Sequence, residues 1–331
     1  MKEDILHGMQ YGFNLPTESF KPTTNQNYFT GDREINKRVS EEWRRLEEAG
    51  KIEYLGHRRP ANLTIVPCAG IITERVLQDL VDPAELEWHE LNKLRIITDL
   101  KKAGVNKAIF FDRHELHFCK LSDVGRKITK NCYMYIIDIS DCYFHWPVAS
   151  ECTNLLGIYD EHRGEYAKYK FCPFGLEASG YINDKCLKAV LECMKRSQEI
   201  GECGDPVDYV DDMFDCHEDE NTAWDRFENV ILFLLSVGIR PSTKPQGLQF
   251  PAQRRVYIGW DIDSREMFVD VPAPKIEKAI SRVQSTKQKL EQKQCSIKTL
   301  ESCTGLLSHL AEIAPSGRRH LQDLWIPINA H

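Results

Sequence analysis

The residues best suited to chemistry are two adjacent aspartates, Asp211 and Asp212, in the segment Tyr209–Asp212. They lie between two short apolar runs, which predicts a tight turn between strands. Adjacent carboxylates repel each other, so a fold that holds both ionised usually supplies a cation. Asp-Asp is also a common turn dipeptide, so the pair by itself does not establish a metal site.

A third aspartate, Asp138, follows the apolar run Tyr133–Ile137, which is typical of a buried strand. In a ferredoxin-like unit the end of the first strand lies beside the hairpin formed by the next two, so we expect Asp138 to approach Asp211 and Asp212. Three carboxylates in one place can hold two Mg2+ ions about 3.5–4 Å apart, with Mn2+ as an alternative. Such ions activate an attacking 3'-hydroxyl and stabilise a leaving pyrophosphate.

The elements around these aspartates must bring them together. Strands are expected at Tyr133–Ile139, Pro206–Val210, Met213–Cys216 and Val256–Ile262, and helices at Ala178–Glu199, closed by Gly201, and Asn221–Val237. Segments Asn154–Tyr159 and Glu165–Phe171 are expected to form a separate hairpin. Without that hairpin the order is β-α-β-β-α-β, that of a split βαβ unit.

The flanking regions are less regular. Glu34–Glu48 has helical spacing and ends near Gly50, while Leu63–Val66 and Arg95–Thr98 are expected to be strands. Residues 1–33 show no clear period, and an acidic segment around residues 74–90 has no assignment. Two helices are expected near the C-terminus, at Lys275–Lys293 and Ile297–Ala314.

Composition limits the class of protein. The 331 residues are 42% hydrophobic and 28% charged, as in a globular protein, and no apolar run approaches the roughly 18 residues of a membrane helix. The N-terminus has no apolar signal segment, so a cytoplasmic or nuclear protein without a membrane partner is expected. None of the twelve cysteines forms a Cys-x-x-Cys pair, which favours free thiols over a zinc framework; the one metal-like grouping is His114, His117 and Cys119.

Charge is unevenly distributed along the chain. The net charge of −7 argues weakly against a nucleic-acid partner. Residues 201–225, however, contain ten acids and no lysine or arginine, while residues 271–331 contain nine bases and five acids. An acidic loop or a divalent-cation site fits the first region, and a nucleic-acid-binding surface fits the second.

Five segments resemble, in order, the palm motifs of reverse transcriptases: Ile137–Phe144, Phe171–Ser179, Tyr209–Asp212, Leu235–Lys244 and Tyr257–Trp260. Upstream, Leu94–Lys101 is similar to the fingers strand of that family. Four segments, together with Met267, look like those of DIRS-like, tyrosine-recombinase retrotransposons: Phe250–Asp263, Val271–Lys275, Gly305–His309 and Pro315–Leu324. The resemblance is strongest over residues 91–275.

The resemblance implies an α+β right-hand polymerase fold with fingers, a ferredoxin-like palm and a helical thumb. An N-terminal extension would comprise residues 1–33, the fingers 34–110 and 150–174, the palm 111–149 and 175–268, and the thumb and start of the connection 269–331. The implied activity is that of an RNA-directed DNA polymerase of a retroelement, which adds dNTPs to a primer 3'-hydroxyl by two-metal nucleotidyl transfer. Its partners would be an RNA template and a DNA primer or RNA–DNA hybrid, and its oligomeric state is open.

The resemblance also implies roles for single residues. Asp138, Asp211 and Asp212, with the Ile139 carbonyl, would be the metal ligands. Lys244 would protonate pyrophosphate, and Tyr143 would exclude a ribose 2'-hydroxyl. The remaining substrate contacts would be the backbone amides of Asp141 and Cys142 and the side chains of Lys93 and Arg95 for the triphosphate, and Phe174 and Gly175 for the sugar and base.

Two alternatives remain open from the sequence. An RNA-copying viral polymerase would keep the chemistry, but Tyr143 and the Tyr-x-Asp-Asp form, rather than Gly-Asp-Asp, favour a DNA product. A decayed or domesticated copy would bind nucleic acid without catalysis, and the three intact aspartates disfavour it. Because the sequence stops at His331, before a ribonuclease H or recombinase would fit, a fragment or a stand-alone polymerase module is expected.

Overall fold

The computed structural model describes residues 2–17, 20–29, 31–74, 92–110, 116, 119–197, 200–244, 247–314 and 317–329. Most of the acidic segment at 74–90, together with His114 and His117, lies outside the described residues. In these ranges the α-helices are α1 (Lys2–Tyr11), α2 (Arg33–Glu48), α3 (Val105–Ala108), α4 (Leu121–Gly125), α5 (Glu177–Arg196), α6 (Glu220–Ser236), α7 (Ala273–Glu291), α8 (Ile297–Leu310) and α9 (Gln322–Asn329). The strands there are β1 (Ile52–Gly56), β2 (Cys68–Glu74), β3 (Asn92–Thr98), β4 (Tyr133–Asp138), β5 (Gly157–Asp160), β6 (Glu165–Tyr169), β7 (Val207–Tyr209), β8 (Asp212–His217), β9 (Leu248–Ala252), β10 (Arg254–Tyr257), β11 (Trp260–Asp263) and β12 (Phe268–Asp270).

The chain forms two compact units. The first contains residues 1–118 and 139–197, and the second contains residues 119–138 and 198–331. Strand β4 therefore belongs to the second unit, whereas the chain that follows it belongs to the first. All twelve cysteines are free, as the sequence predicts. None of the helices in the described ranges combines the length and hydropathy needed to cross a bilayer.

In the first unit, helix α2 packs against two small antiparallel sheets, β1–β6–β5 and β2–β3. Its buried stripe is formed by Val39, Trp43 and Leu46, as the helical spacing predicts. The carboxylate of Asp32 caps its N-terminus by accepting hydrogen bonds from two backbone amides. The predicted hairpin is present as β5 and β6.

One expectation for the first unit is wrong, and one helix was not expected. Leu63–Val66 is fully buried but is not a strand, because its last three amides are divided between two segments, one at residues 154–157 and one at Thr23. Among the described residues only one isolated bridge forms in this segment, between Ile65 and Gly157. Helix α1 lies in the region without a clear period. Its sequence gives a weak signal because Leu6 and Tyr11 remain exposed.

The second unit is built on a four-stranded antiparallel sheet in the order β7–β8–β4–β9. The central strand β4 is buried from Met134 to Ile137, as its continuous apolar run predicts. Helix α6 packs against β4, β8 and β9. Together with α5, these elements have the predicted β-α-β-β-α-β order along the chain.

The last strand of that order was placed wrongly from the sequence. Val256–Ile262 is not one strand but most of the hairpin β10–β11, because Ile258 and Gly259 both have positive φ angles, 43° and 80°, which fit a two-residue turn. The strand beside β4 is β9 instead. Pro251 weakens the strand signal of β9, and a proline is tolerated there because β9 lies at the edge of the sheet. Hairpin β10–β11 packs on the sheet through Phe214, Tyr257 and Trp260.

Candidate functional site

The three aspartates meet at one end of the sheet of the second unit. Asp138 and Asp212 are register partners at the ends of β4 and β8, and Asp211 precedes Asp212 in the β7–β8 turn. One oxygen from each carboxylate lies within 4.8 Å of the others. All three side chains are half-buried. The proximity predicted from the strand order is confirmed.

The turn that presents Asp211 has an unusual backbone. Tyr209 and Asp212 are paired, which leaves only Val210 and Asp211 to reverse the chain. Val210 has a φ of 62°, and the amide of Asp211 donates to the carbonyl of Tyr209 at 2.8 Å. A β-branched residue rarely adopts this conformation, which costs about 1–3 kcal/mol and persists only where the surrounding structure enforces it.

The carboxylate cluster has an excess of negative charge. The pKa of Asp212 is raised to about 7, first by burial and then by the charges of Asp211 and Asp138. At neutral pH the cluster therefore favours a bound proton or cation. Oxygen ligands of this kind fit a hard divalent cation such as Mg2+, which would neutralise the repulsion that raises the pKa.

The loop between α6 and β9 holds Asp138 in place. The Ser242 amide donates to the Asp138 carbonyl, and the Asp138 amide donates to the Gly247 carbonyl, both at 2.7 Å. A Cβ atom on Gly247 would overlap the Ser242 hydroxyl and lie 3.0 Å from Oδ2 of Asp138. Gly247 therefore leaves room for the carboxylate. Sequence reasoning missed Ser242 and Gly247, whose only signal is a glycine shortly before a strand.

Hairpin β10–β11 contacts the backbone of Asp212 through Tyr257. The Tyr257 hydroxyl donates to the backbone carbonyl of Asp212 at 3.3 Å, and its ring stacks on Phe214 with centroids 5.0 Å apart. The fifth motif, Tyr257–Trp260, thus contacts the first residue of β8 directly.

Lys244 lies in the α6–β9 loop with an exposed side chain, and its carbonyl accepts the Gly247 amide at 2.9 Å.

In the first unit, the residues predicted to contact the sugar lie close together. We call the two segments that contain them, Asp141–His145 and Phe174–Gly175, the aromatic loop. Asp141 has a φ of 50° and precedes a 3-10 turn, Cys142–His145. The ring of Tyr143 lies 5.0 Å from that of Phe174, which is 42% exposed. Cys142 is buried, whereas the Asp141 carboxylate is exposed and lies 3.5 Å from the guanidinium of Arg45.

Gly175 fits its position for two reasons. Its φ is 100°, and a Cβ atom there would overlap the carbonyl oxygen of Thr98, the last residue of β3. The buried Asn106 side chain donates to the Gly175 carbonyl at 3.0 Å and accepts from the Glu177 amide at 3.2 Å. Asn106 therefore ties this loop to the start of α5. No sequence signal singles out Asn106, because its partners are about 70 residues away.

The other residues predicted to bind the triphosphate or the metal ions form no comparable cluster in the described part of the chain. Arg95 is exposed on β3 opposite Ile71. The backbone of Lys93 is opposite Thr73, but its side chain lies outside the described residues. Ile139 is buried directly after Asp138 in the chain. The roles of Arg95, Lys93, Ile139 and Lys244 stay predictions.

Comparison with solved structures identifies the fold. The chain has a reverse-transcriptase-like fold. It matches the foamy viral protease-reverse transcriptase dRH in complex with double-stranded DNA with a TM-score of 0.66 at 16% identity, over 96% of this chain and 47% of that chain. It matches the foamy viral protease-reverse transcriptase in complex with an RNA/DNA hybrid with a TM-score of 0.64 at 16% identity, over 96% and 36%.

A third match, a prototype foamy virus protease-reverse transcriptase CSH mutant, has a TM-score of 0.53 at 15% identity over 78% of this chain and 29% of that chain. The chain thus spans less than half the length of each of these solved chains. No protein-family model and no curated protein matches the sequence. The narrower likeness to DIRS-like retrotransposons stays a prediction from the sequence.

Proposed function

We propose that this chain is an RNA-directed DNA polymerase that transfers deoxynucleotides from dNTPs to the 3'-hydroxyl of a primer. The observation that carries the proposal is the approach of Asp138, Asp211 and Asp212 to within 4.8 Å in a reverse-transcriptase-like fold. The solved relatives were captured with double-stranded DNA and with an RNA/DNA hybrid. The same classes of nucleic acid are proposed as partners here.

The three carboxylates would hold Mg2+ ions. Such ions supply an activated 3'-hydroxyl and charge stabilisation for the leaving pyrophosphate. The chain itself keeps the carboxylates close despite their repulsion, through the β4–β8 register and the α6–β9 loop. Because the pKa of Asp212 is raised to about 7, this carboxyl must lose its proton before all three aspartates can act as ligands.

Other residues take proposed roles in substrate selection. The ring of Tyr143, which packs against Phe174, is the proposed barrier to a ribose 2'-hydroxyl. Gly175 and the amides of Asp141 and Cys142 offer backbone groups to the nucleotide. The exposed Nζ of Lys244 is the proposed proton donor to pyrophosphate.

A basic groove between α7 and α8 supports nucleic-acid binding in this acidic protein. The groove has a volume of about 530 Å3. Ten residues line it, of which four are basic, six carry a hydroxyl group and none is acidic. Arg282 donates to the hydroxyl of Ser302 across the groove. Phosphate groups favour such a lining of cations and hydroxyls. The four bases are Lys278, Arg282, Lys289 and Lys298.

Primer extension tests the proposal. With a poly(rA) template, an oligo(dT) primer, dTTP and Mg2+, the wild-type chain should extend the primer and Asp211→Asn should not. Asp225→Asn, an exposed aspartate in the same acidic stretch, is the matched control and should behave as wild type. In a parallel reaction with UTP in place of dTTP, extension with UTP only would indicate an RNA-copying polymerase. Primer–template binding without extension would indicate a non-catalytic nucleic-acid-binding protein, and either result would overturn the proposal.

A further inference from the structure

Hairpin β10–β11 is fastened to two helices by a small cluster in the second unit. The ammonium of Lys275, in the first turn of α7, donates to the carbonyl of Gly259 at 3.1 Å. The same ammonium lies 2.5 Å from Nε2 of His309, in the last turn of α8. The His309 ring stacks on Trp260 with centroids 4.5 Å apart and planes 18° apart.

We propose that Lys275 and neutral His309 form a latch that sets the position of the β10–β11 turn and, through Tyr257, of the backbone at Asp212. The latch comprises Lys275, His309, Trp260 and the Gly259 carbonyl. Lys275 and His309 are positioning residues, since they act on the site only through the hairpin. Their effect on catalysis rests on the proposed polymerase function.

Gly259, in the β10–β11 turn, leaves space for the ammonium of Lys275. Gly259 has a φ of 80°, and a Cβ atom there would overlap the ammonium of Lys275. Trp260 is fully buried, and its indole Nε1 has no hydrogen-bond partner in the described part of the chain. Stacking, not hydrogen bonding of the indole, therefore holds the ring, and His309 supplies one face of that stack.

The latch requires a neutral His309. An ammonium has donors but no acceptor, so Nε2 must accept and the ring proton must be on Nδ1. Protonation of His309 would remove the acceptor and place two cations in contact. The pKa of His309 is lowered, first by burial and then by Lys275, which keeps the ring neutral near pH 7.

The other charged groups around the latch act in both directions. Burial lowers the pKa of Lys275, and the positive charge of Lys278 on α7 lowers it further. Glu312, beyond the end of α8, acts in the opposite direction on both Lys275 and His309, and it lies 3.9 Å from Arg318. The hairpin faces the cluster with a neutral ring and a carbonyl.

The latch reaches the carboxylate cluster through a short path. Tyr257 lies two residues before Gly259 in the same hairpin, and its hydroxyl donates to the carbonyl of Asp212. Its ring stacks on Phe214, in the middle of β8. A shift of the turn therefore changes the support of β8 at its catalytic end.

One experiment examines the latch without any activity measurement. In histidine-labelled protein, the nitrogen NMR shifts of His309 should show the Nδ1–H form and titration below the usual pH of about 6.5. Lys275→Met should raise the pKa of His309, whereas Lys293→Met, an exposed lysine just beyond the end of α7, should not. The opposite tautomer, or a His309 pKa unchanged by Lys275→Met, would overturn the latch.

A second experiment uses primer extension from about pH 5.5 to about pH 7.5, with KM for primer–template measured separately from kcat. For the wild type, KM should rise about five- to tenfold as the pH falls. His309→Gln keeps an acceptor that does not titrate, so it should abolish this pH dependence. His309→Phe keeps the stack without the acceptor and should have the raised KM at every pH.

The exposed His320 supplies the matched control, and His320→Phe should follow the wild-type profile. An identical KM profile for wild type and His309→Phe would overturn the positioning role. If neither the wild type nor any variant extends a primer, the proposed polymerase function fails. The NMR experiment then still decides whether the latch exists.

Discussion

The carboxylate cluster of the second unit and the aromatic loop of the first are held together in opposite ways. In the cluster, three like charges repel each other and are kept close by strand register and a strained turn at Val210. In the loop, neutral rings pack at 5.0 Å and a glycine lies against the backbone of β3. The carboxylate cluster is thus destabilised by repulsion between like charges, whereas the aromatic loop is stabilised by close packing.

This difference predicts which changes each region tolerates. An isosteric loss of charge should relieve strain in the cluster while removing its capacity to bind a cation. In the loop, charge matters little, but a single added methyl group has no space. A charge-neutral substitution and a shape-changing substitution therefore distinguish the two regions.

The largest expected effect is that of Asp212→Asn. Loss of a metal ligand should lower primer extension by about 10^3-fold, equivalent to about 4 kcal/mol of transition-state stabilisation. The same change should raise the free energy of unfolding in the absence of divalent cations, because it removes a charge that is half-buried and that two neighbouring carboxylates repel. Extension assays and urea denaturation measure the two effects. A loss of both activity and stability would mean that the carboxylate is mainly structural.

The next effect is a pH dependence of stability. The folded pKa of Asp212 is raised to about 7 from 3.8, so its contribution to stability is fully present below about pH 4 and is lost as the pH rises through 7. In a chelator, the free energy of unfolding should therefore fall between these values, by at most about 4 kcal/mol. Mg2+ or Asp212→Asn should flatten the profile, whereas Asp225→Asn should leave it unchanged. A flat wild-type profile would contradict the raised pKa of Asp212 and its assignment to burial and to the neighbouring charges.

Gly175→Ala tests the packed region. The added methyl group overlaps Thr98 and the backbone φ is unfavourable, so the free energy of unfolding should fall by about 3 kcal/mol and KM for dNTP should rise. Gly56→Ala is the matched control, because its φ of 82° is similar and nothing lies within 4 Å of the added atom. Equal losses in the two variants would attribute the effect to φ alone. Denaturation and steady-state kinetics provide both readouts.

Tyr143→Ala should have a smaller and more selective effect. Removing the ring should increase ribonucleotide incorporation relative to deoxynucleotides by about 10- to 100-fold, the range expected for one lost steric contact. Tyr143→Phe retains the ring against Phe174 and should discriminate as the wild type does. Competition between dTTP and UTP on poly(rA) gives the ratio. Unchanged discrimination in an active Tyr143→Ala variant would assign the ring to packing only.

The smallest effect concerns the basic groove, where charge again outweighs shape. Lys278→Ala and Lys289→Ala should each reduce the salt dependence of primer–template affinity by up to about 0.9 in logarithmic slope. Lys130→Ala removes an exposed lysine of the same unit outside the groove and serves as the control. Fluorescence anisotropy over a salt series measures the slopes. Equal slopes in all three variants would show that the groove makes no phosphate contact.

The sequence predicts regular elements well where hydrophobic spacing is strong. Strand β4 and helix α6 were predicted within one residue at each end, because their apolar residues follow a continuous or helical pattern. Prediction from the sequence fails where tertiary contacts, and not local preference, decide the backbone conformation. Leu63–Val66 has the composition of a strand, but its last three amides donate to two different segments, and Pro251 weakens the strand signal of β9.

The sequence alone determined the chemical identity of the candidate site. Asp138 after a buried run, and Asp211 with Asp212 at a turn, are local features, and the β-α-β-β-α-β order implies that strand ends bring them together. The tertiary structure alone decided how they are held. The clearance between Gly247 and Asp138, the Asn106 bridge and the Lys275–His309 contact join residues more than 30 positions apart, and no local pattern encodes a contact between such distant residues.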